Sequence, residues 1–322
     1  MRILLIKTSS LGDVVHNLPV VTDLRREYPE ANIDWVVEES FADIARLHPG
    51  VRRVIPVALR RWRGSLFAAT AWREMRDFRS MLREQGYDLV IDTQGLLKSA
   101  LITRMAQGRR CGYAASSARE SLASRFYDAT FEVPKNLHAV ERNRRLAAQA
   151  AGYTGSPTPD YGIAVPPEPS HQGIPLCITS ELATAVLLTA TSRDDKLWPE
   201  ERWIELGCRL REKGLTCLLP AGNATERVRA ARLALAIPDA VVLPPMSLTK
   251  LAAQLAAARI VIGVDTGLVH LAAALGRPTL ALFSASDPAL TGVLATTPAV
   301  NLGTRGRPPG IDDATAAALS LL

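Results

Sequence analysis

A carboxylate follows the first apolar run of the chain, in the segment KTSSLGDVVH. Asp13 comes after a Ser-Ser-Leu-Gly turn, at or near the start of a predicted helix. It could be only the N-cap of that helix, because an aspartate there satisfies free amide groups. A carboxylate in a ligand cleft could instead accept a proton from an attacking hydroxyl group, as a general base does. The spacing alone leaves both interpretations open.

A second segment, VDTGLVHLAAALGRP, has the features of an anion site. A predicted strand is followed by Asp265, Thr266 and Gly267, which begin a helix that carries His270. Small residues leave amide groups free at the positive end of a helix, and such an end can bind a diphosphate without a metal. The alternative is an ordinary capped helix whose histidine packs in the core.

The loop TATSRDDKLWPEERW follows another predicted strand. It offers hydroxyl groups at Thr191 and Ser192 and an ammonium group at Lys196. Hydroxyls and a lysine beside a strand end suit a diphosphate whose negative charge grows as it leaves. The alternative is a solvated charged loop that Trp198 anchors to the core.

Nucleotide recognition has one further candidate in the second half of the chain. Glu226, in PAGNATERVRA, lies in the first turn of a predicted helix after a strand. The helix dipole stabilises a carboxylate there without any ligand, but such a group can also accept hydrogen bonds from ribose hydroxyls. The turn around Asp13 lacks the G-x-G-x-x-G pattern, so a dehydrogenase is not favoured and the first half is not expected to hold the nucleotide.

Cations are concentrated in the first half of a chain whose formal net charge is +6. Arg60, Arg61 and Arg63 surround a tryptophan in ALRRWRGS, and Lys98 and Arg119 lie in predicted loops or helix starts. Arginine matches carboxylate and phosphate groups with two hydrogen bonds. A solvated face is the ordinary interpretation and a nucleic-acid patch the second. No aromatic-rich RNA-binding motif or helix-turn-helix accompanies the cluster, so an anionic lipid or sugar is preferred.

These residues require a framework that brings strand ends together. Apolar β-branched runs predict strands at residues 3–6, 33–37, 54–57 and 89–91, and again at 185–188, 216–219, 240–243, 260–264 and 279–282. Helical patterns alternate with them, at residues 71–85, 200–213 and 224–235. The alternation predicts the α/β class with two doubly wound parallel sheets. Ligands bind at the carboxyl ends of such strands, which we expect to face a central cleft.

The length of 322 residues favours two domains. Residues 152–175 are rich in Gly, Pro, Ser and Thr, which is typical of an exposed connection. We therefore predict domains at residues 1–160 and 161–322.

The four scattered cysteines predict reduced, mostly buried thiols rather than disulfides or a zinc site. The short apolar start predicts no secretory signal and no run is long enough to span a membrane, so we expect a cytoplasmic protein with at most peripheral membrane contact.

A series of motifs resembles the ADP-heptose:lipopolysaccharide heptosyltransferases of glycosyltransferase family 9. The motifs recur in order over most of the chain: KTSSLGDVVHNLP, DWVVEESFADI, VIPVALRRWR, IDTQGLLKSA, HAVER, TSRDDKLWPEERW, LPPMSL and VDTGLVHLAAALGRP. The resemblance implies a GT-B fold with the acceptor on the N-terminal domain and the ADP-sugar on the C-terminal domain. It implies inverting transfer of L-glycero-D-manno-heptose from ADP-heptose to Kdo of Kdo2-lipid A, without metal or cofactor. The RRWR segment favours the type I branch; the alternatives are a type II or protein-directed heptosyltransferase and, less favoured, a nucleotide-sugar epimerase.

The resemblance also implies a role for each candidate residue. Asp13 would be the general base, and Lys196 would bind the diphosphate together with Thr191, Ser192 and the amides of Thr266 and Gly267. The remaining donor contacts would be Asp265 and His270 to the heptose or its phosphate, Glu226 to the ribose and Met246 to the adenine. The acidic acceptor would be bound by Arg60, Arg61, Arg63, Lys98 and Arg119. The implied place of action is the cytoplasmic face of the inner membrane, with peripheral contact to its anionic surface and no nucleic-acid partner.

Overall fold

The structure, a computed structural model, describes residues 1–64, 68–165 and 183–322. The chain divides into two compact units, Met1–Ile163 and Ala164–Leu322. The division lies inside the stretch of residues 152–175, of which residues 166–175 lie outside the described part of the chain. Among the described residues, no helix combines the length and the apolar character that crossing a bilayer requires.

The first unit is built on a six-stranded parallel sheet in the order β3-β2-β1-β4-β5-β6. Its strands are β1 (Arg2–Ile6), β2 (Asn32–Glu38), β3 (Val51–Val57), β4 (Leu89–Asp92), β5 (Arg109–Tyr113) and β6 (Ala129–Phe131). Its helices are α1 (Leu11–Val15), α2 (Leu18–Glu27), α3 (Ala42–Arg46), α4 (Leu59–Gly64), α5 (Ala69–Arg83), α6 (Leu97–Met105) and α7 (Ala139–Ala151), with 3-10 turns at Glu39–Phe41 and Ser121–Phe126.

The second unit has its own six-stranded parallel sheet in the order β12-β11-β10-β7-β8-β9. Its strands are β7 (Thr184–Leu188), β8 (Thr216–Leu219), β9 (Val241–Val242), β10 (Ile260–Val264), β11 (Thr279–Phe283) and β12 (Ala299–Gly303). Its helices are α8 (Glu200–Glu212), α9 (Ala224–Ala236), α10 (Leu248–Ala257), α11 (Gly267–Ala274), α12 (Pro288–Thr291) and α13 (Ile311–Ser320), with a 3-10 turn at Asp194–Lys196.

Both sheets have the same doubly wound topology. The first strand of each unit lies between the second and the fourth strands: β1 pairs with β2 and β4, and β7 pairs with β8 and β10. The strand order reverses beside that first strand, and doubly wound sheets bind ligands in the crevice at this switch point. The predicted α/β class with two doubly wound parallel sheets is confirmed, and each sheet has one expected ligand position.

The predicted strands are those whose residues are mostly apolar, with Asp34 as a charged exception in β2. Helices cover both faces of a parallel sheet, so its central strands are apolar throughout, as in β1 and β10, where Ile3 and Ile262 are fully buried. Strands β5, β6 and β12 were not predicted because their sequences, RRCGY, ATF and AVNLG, contain charged, polar or small residues. β6 and β12 form sheet edges and β5 lies next to one, where continuous apolar sequence is not required.

The predicted burial of the cysteines is confirmed for two of the three that the structure describes. Cys111 and Cys217 are buried free thiols and Cys208 is a half-buried one. Burial raises the pKa of Cys111 and raises the pKa of Cys217 to about 12, so both remain protonated thiols at neutral pH. Cys177 lies outside the described residues.

A buried ion pair joins α2 to α7 in the first unit. Nε of Arg144 donates to Asp23 Oδ2 at 2.7 Å and its NH2 group donates to Oδ1 at 3.2 Å. The side chains of Asp23 and Arg144 are only 2% and 4% exposed. Removing Asp23 takes away both of these bonds and leaves the buried Arg144 a longer carboxylate contact, to Glu141 at 3.6 Å.

We predict that Asp23→Ala lowers the free energy of unfolding by about 3–5 kcal/mol, measured by urea denaturation. The matched control is Asp43→Ala, which breaks a solvent-accessible ion pair with Arg46 on α3. That control should cost less than about 1 kcal/mol, because exposed pairs gain little from their attraction in water. Equal losses in the two variants would contradict the prediction.

Candidate active site

Asp13 lies on α1, directly after β1 at the switch point of the first sheet. The N-cap of α1 is Ser10, and Asp13 is the third helical residue. The backbone amide of Ser10 donates a hydrogen bond to Asp13 Oδ2 at 3.0 Å. The interpretation of Asp13 as the N-cap itself is therefore wrong, because the serine turn places the helix start three residues earlier, although the carboxylate still satisfies an amide at that end.

Asp13 is paired with Arg119 from the loop that follows β5. The guanidinium makes two contacts with the carboxylate, NH2 to Oδ1 at 2.7 Å and NH1 to Oδ2 at 3.3 Å. The Asp13 side chain is 15% exposed and that of Arg119 is 43% exposed. Burial by itself would raise the pKa of Asp13, but Lys7 and Arg119 more than offset it and the pKa falls to about 2. Asp13 is therefore an ionised carboxylate with a small opening to solvent.

Lys7 is a buried cation in the same site, and sequence analysis missed it. Its ammonium group donates to the main-chain oxygen of Thr93 at 2.8 Å and to Asn143 Oδ1 at 3.3 Å. Burial lowers the pKa of Lys7 to about 8, against the opposing effect of Asp13. The available signal was a lysine placed immediately after a buried strand, at the edge of the sheet where ligands bind.

The loop after β4 positions the loop after β1. Gln94 Oε1 accepts hydrogen bonds from the amides of Thr8 at 3.1 Å and Ser9 at 3.3 Å. Lys98, in the first turn of α6, donates from its ammonium group to Ser9 Oγ at 3.1 Å. The predicted site residue Lys98 thus contacts the turn that leads to Asp13. Gln94 contacts the same turn and was not predicted from the sequence.

The three arginines of α4 have different environments. Arg60 and Arg63 are exposed. Arg61 is exposed as well, but it is paired with Glu39 at 3.1 Å and with Glu74 at 2.7 Å. The sequence predicted one uniform basic cluster, whereas the structure separates Arg61 from the two other arginines.

In the second unit, Asp265 follows β10 and brings several predicted residues together. Lys196 donates from Nζ to Asp265 Oδ2 at 2.7 Å, and the Thr191 hydroxyl donates to the main-chain oxygen of Asp265 at 3.3 Å. Nε2 of His270 lies 3.8 Å from Asp265 Oδ1. Ser286, which follows β11, also donates to Oδ2. Sequence analysis missed Ser286, although hydroxyl groups after a predicted strand, in FSASDP, were a signal.

These contacts keep Asp265 ionised despite its burial. Burial would raise the pKa of Asp265, but the neighbouring His270 and the hydrogen bonds from Lys196 and Ser286 hold it well below its usual range. The Lys196 side chain remains 20% exposed. This centre is a lysine oriented by a carboxylate at the switch point of the second sheet.

Helix α11 begins beside this centre. Its N-cap is Thr266 and its first residue is Gly267. The first amides of a helix have no acceptor within the helix and lie at the positive end of its dipole. An anion held by Lys196 would meet these amides, because Lys196 contacts Asp265, the residue before the N-cap.

The loop that carries Lys196 is anchored by a tryptophan. Trp198 is 1% exposed, and its Nε1 donates to the main-chain oxygen of Pro309 at 3.0 Å. It packs edge to face against Trp203, with ring centroids 5.1 Å apart. The predicted role of Trp198 as a core anchor is confirmed, while Thr191 and Lys196 contact Asp265 and Ser192 is exposed.

Glu226 closes the loop that follows β8. Its carboxylate accepts from the amide of Gly222 at 2.7 Å and from Asn223 Nδ2 at 2.8 Å. Asn223 is the N-cap of α9 and accepts from the Glu226 amide at 2.9 Å. Met246 is half-buried in the next loop, between β9 and α10. The structure places Glu226 and Met246 on neighbouring loops of the same sheet edge.

All the candidate residues follow the carboxyl ends of parallel strands. Those of the first unit lie after β1, β3, β4 and β5, and those of the second lie after β7, β8, β9 and β10. Each unit therefore collects its candidates at one edge of its own sheet. The first edge presents a carboxylate with cations, and the second presents a lysine beside a helix N-terminus.

Comparison with known proteins finds similarity over both units. The family model of glycosyltransferase family 9 (heptosyltransferase) matches residues 75–314. Lipopolysaccharide heptosyltransferase 1 of Escherichia coli K12 is 48% identical over 294 residues, which cover 91% of this chain and 90% of that protein. The structure of E. coli heptosyltransferase WaaC with ADP has a TM-score of 0.90 and 42% identity over 100% of both chains. The structure of WaaC with ADP-2-deoxy-2-fluoro heptose has a TM-score of 0.85 and 43% identity, over 99% of this chain and 98% of that one.

Proposed function

The chain belongs to glycosyltransferase family 9, the heptosyltransferases, and we propose that it transfers L-glycero-D-manno-heptose from ADP-heptose to Kdo of Kdo2-lipid A. The reaction would serve the inner core of lipopolysaccharide. Similarity to lipopolysaccharide heptosyltransferase 1 supports this acceptor over those of a type II or protein-directed enzyme. The observation that carries the proposal is the pair of charged centres at the two switch points, Asp13 with Arg119 and Lys196 with Asp265.

The donor would bind to the second domain, for which we propose residues 161–322. Lys196 would neutralise the diphosphate, with the hydroxyls of Thr191 and Ser192 and the amides of Thr266 and Gly267 as further donors. As the bond between the sugar and the diphosphate breaks, charge grows on the phosphate oxygens, and fixed donors of this kind stabilise it. The solved structures of a similar enzyme with ADP and with an ADP-heptose analogue support this assignment.

The remaining donor contacts follow from position on the same sheet edge. Asp265 and His270 would contact the heptose or its phosphate, Glu226 the ribose and Met246 the adenine. Glu226 follows the second strand of its sheet, where acidic residues accept hydrogen bonds from ribose hydroxyls in other doubly wound folds.

The acceptor would bind to the first domain, for which we propose residues 1–160. The exposed cations Arg60, Arg63, Lys98 and Arg119 suit the carboxylates and phosphates of Kdo2-lipid A. Arg61 would contribute less, because it is already paired with Glu39 and Glu74. Since this acceptor is a membrane lipid, the enzyme would act at the cytoplasmic face of the inner membrane by peripheral contact.

In the proposed step, the Kdo hydroxyl oxygen attacks the anomeric carbon on the face opposite the diphosphate. The bond between that carbon and the phosphate oxygen breaks, and ADP leaves with its electron pair. The hydroxyl proton passes to Asp13, so charge and atoms balance and the anomeric configuration inverts. We propose that the base and the Lys196 centre supply this chemistry without a divalent metal.

The pH dependence of transfer follows from the cations around Asp13. With a pKa of about 2, Asp13 is deprotonated at every usual assay pH, so its protonation should not limit kcat/KM from about pH 4 to about pH 8. Arg119→Gln removes one cation that lowers this pKa, so the pKa of Asp13 should rise. As the pH is lowered, the variant should therefore lose activity at a higher pH than the wild type does. Arg125→Gln, an exposed arginine in the next turn, is the control. An acidic limb of kcat/KM that is identical in all three proteins would contradict the prediction.

The acceptor assignment is tested by product analysis. The protein is incubated with ADP-heptose and one of three acceptors: Kdo2-lipid A, the same molecule already carrying a heptose, or a protein extract. The proposal predicts one added heptose on the first acceptor only, with inverted anomeric configuration by NMR and unchanged yield in EDTA. Transfer confined to the second or third acceptor would establish a type II or protein-directed enzyme instead.

A further inference from the structure

Helix α5 has an exposed face that the proposed reaction does not use. Trp72, Arg76, Arg79 and Arg83 are spaced four, three and four residues apart, which places them along one side of an α-helix. All four residues are exposed, and Trp72 is 63% exposed. Tryptophan is highly buried on average, so a tryptophan exposed in a row of arginines requires an explanation.

This face cannot turn inward, because a different face of α5 already packs into the core. The core face consists of Ala71, Phe78 and Leu82. The ring of Trp62 on α4 packs against Phe78, with centroids 5.8 Å apart, and its Nε1 donates to Glu74 at 2.7 Å. Helices α4 and α5 are thus fixed to each other, and the row of arginines stays on the surface.

The row supplies three of the arginines of a strongly basic segment of the chain. The segment from Leu59 to Arg83 contains seven arginines and two acidic residues, which accounts for five of the six net positive charges of the chain. Glu74 is occupied by Arg61 and Trp62. Asp77 lies 3.9 Å from Arg76, but both side chains are largely exposed and such pairs neutralise little.

We propose that this face of α5 docks the protein on an anionic phospholipid bilayer. The arginines would contact lipid phosphates, each adding to the attraction, and the indole of Trp72 would lie at the level of the headgroups, where tryptophan is favoured. The inference rests on the proposed function, since an enzyme whose acceptor is anchored in a membrane gains from being held at its surface. It extends that function by assigning membrane contact to α5 rather than to the arginines of α4 that face the acceptor.

Sedimentation with vesicles tests the surface. Wild-type protein should bind vesicles of phosphatidylethanolamine and phosphatidylglycerol, release with rising salt and ignore vesicles of phosphatidylcholine. The triple variant R76E/R79E/R83E should bind the anionic vesicles roughly tenfold or more weakly. The matched control K213E/K250E/R305E makes the same charge change at exposed residues of the second unit and should bind as the wild type does. Thermal melting checks that both variants are folded.

Tryptophan fluorescence gives a second readout. Of the five tryptophans, Trp72 alone is exposed, whereas Trp35, Trp62, Trp198 and Trp203 are buried. Binding to anionic vesicles should therefore shift the emission to shorter wavelength, and Trp72→Phe should abolish that shift. A shift that persists in Trp72→Phe would overturn the placement of α5 at the bilayer.

Transfer rates with a soluble and with a vesicle-embedded acceptor test the docking surface separately from the proposed function. The triple variant should transfer heptose to a delipidated acceptor at the wild-type rate and to vesicle-embedded acceptor several-fold more slowly. If the wild type transferred heptose to neither acceptor, the proposed function would be contradicted. The vesicle measurement would still test whether α5 is the docking surface. The docking inference is overturned by wild-type protein that does not bind anionic vesicles, by equal binding of the two triple variants, or by α5-dependent binding to mixed-sequence RNA without binding to vesicles.

Discussion

Replacing Asp13 with asparagine is expected to lower kcat for heptose transfer by about 10²–10⁴-fold, the range that a positioned general base contributes. The amide cannot take the proton of the acceptor hydroxyl, so the attacking oxygen is a poorer nucleophile. The asparagine oxygen can still accept the bond from the Ser10 amide, so the start of α1 should be retained. The KM for ADP-heptose should change little, because the donor is assigned to the second unit.

The control for this variant is Asp43→Asn, which neutralises another carboxylate near the start of a short helix in the same unit. Asp43 pairs with Arg46 at 2.8 Å and has no assigned role in transfer. Steady-state kinetics with saturating acceptor should show wild-type kcat for this control. If Asp13→Asn kept more than about a tenth of the wild-type kcat while folded, Asp13 would not be the base.

Replacing Lys196 with methionine is expected to lower kcat by about 10²–10³-fold, comparable to the loss of one transition-state hydrogen-bond donor in other enzymes. The ammonium group is the cation assigned to the leaving diphosphate. The negative charge that it must stabilise is greatest when the bond to the sugar breaks. The KM for ADP-heptose should also rise, because part of the attraction exists in the ground state. Initial rates of ADP release over a range of donor concentrations measure both effects.

A structural effect must be separated here, because Lys196→Met leaves the carboxylate of Asp265 without its ammonium partner. The double variant Lys196→Met/Asp265→Asn removes both charges and should recover any melting temperature lost in the single variant. Its kcat should stay low, since the diphosphate still lacks its cation. Lys213→Met, at an exposed lysine of the same unit, should leave kcat unchanged. Recovery of kcat in the double variant would mean that Lys196 acts only to balance Asp265.

Much of the fold was predictable because buried parallel strands consist of continuous runs of apolar residues. Strands β1 and β10 show this, since each is buried and neither is interrupted by a polar residue. β5, with the sequence RRCGY, was not predictable in the same way, because its pairing with β4 comes from backbone hydrogen bonds that any sequence can make. Local sequence patterns also do not predict the strand order, since it depends on pairings between residues far apart in the chain.

The candidate site was predictable where a motif places a residue after a strand, as for Asp13 and Lys196. The partners of those residues were not, because Arg119 reaches Asp13 from 106 residues away and Lys196 reaches Asp265 from 69 residues away. Such contacts require the sheet order before they can be inferred. Lys7 shows a different limit, since the depression of its pKa comes from burial that the sequence does not specify.

The most direct test of transfer to Kdo is ADP release from ADP-heptose, measured with and without delipidated Kdo2-lipid A in the presence of EDTA. For the wild type, we expect release that requires the acceptor and continues in the chelator. For Asp13→Asn we expect release close to background under the same conditions. Release by the wild type at the same rate without acceptor would contradict transfer to Kdo and indicate hydrolysis or epimerase chemistry instead.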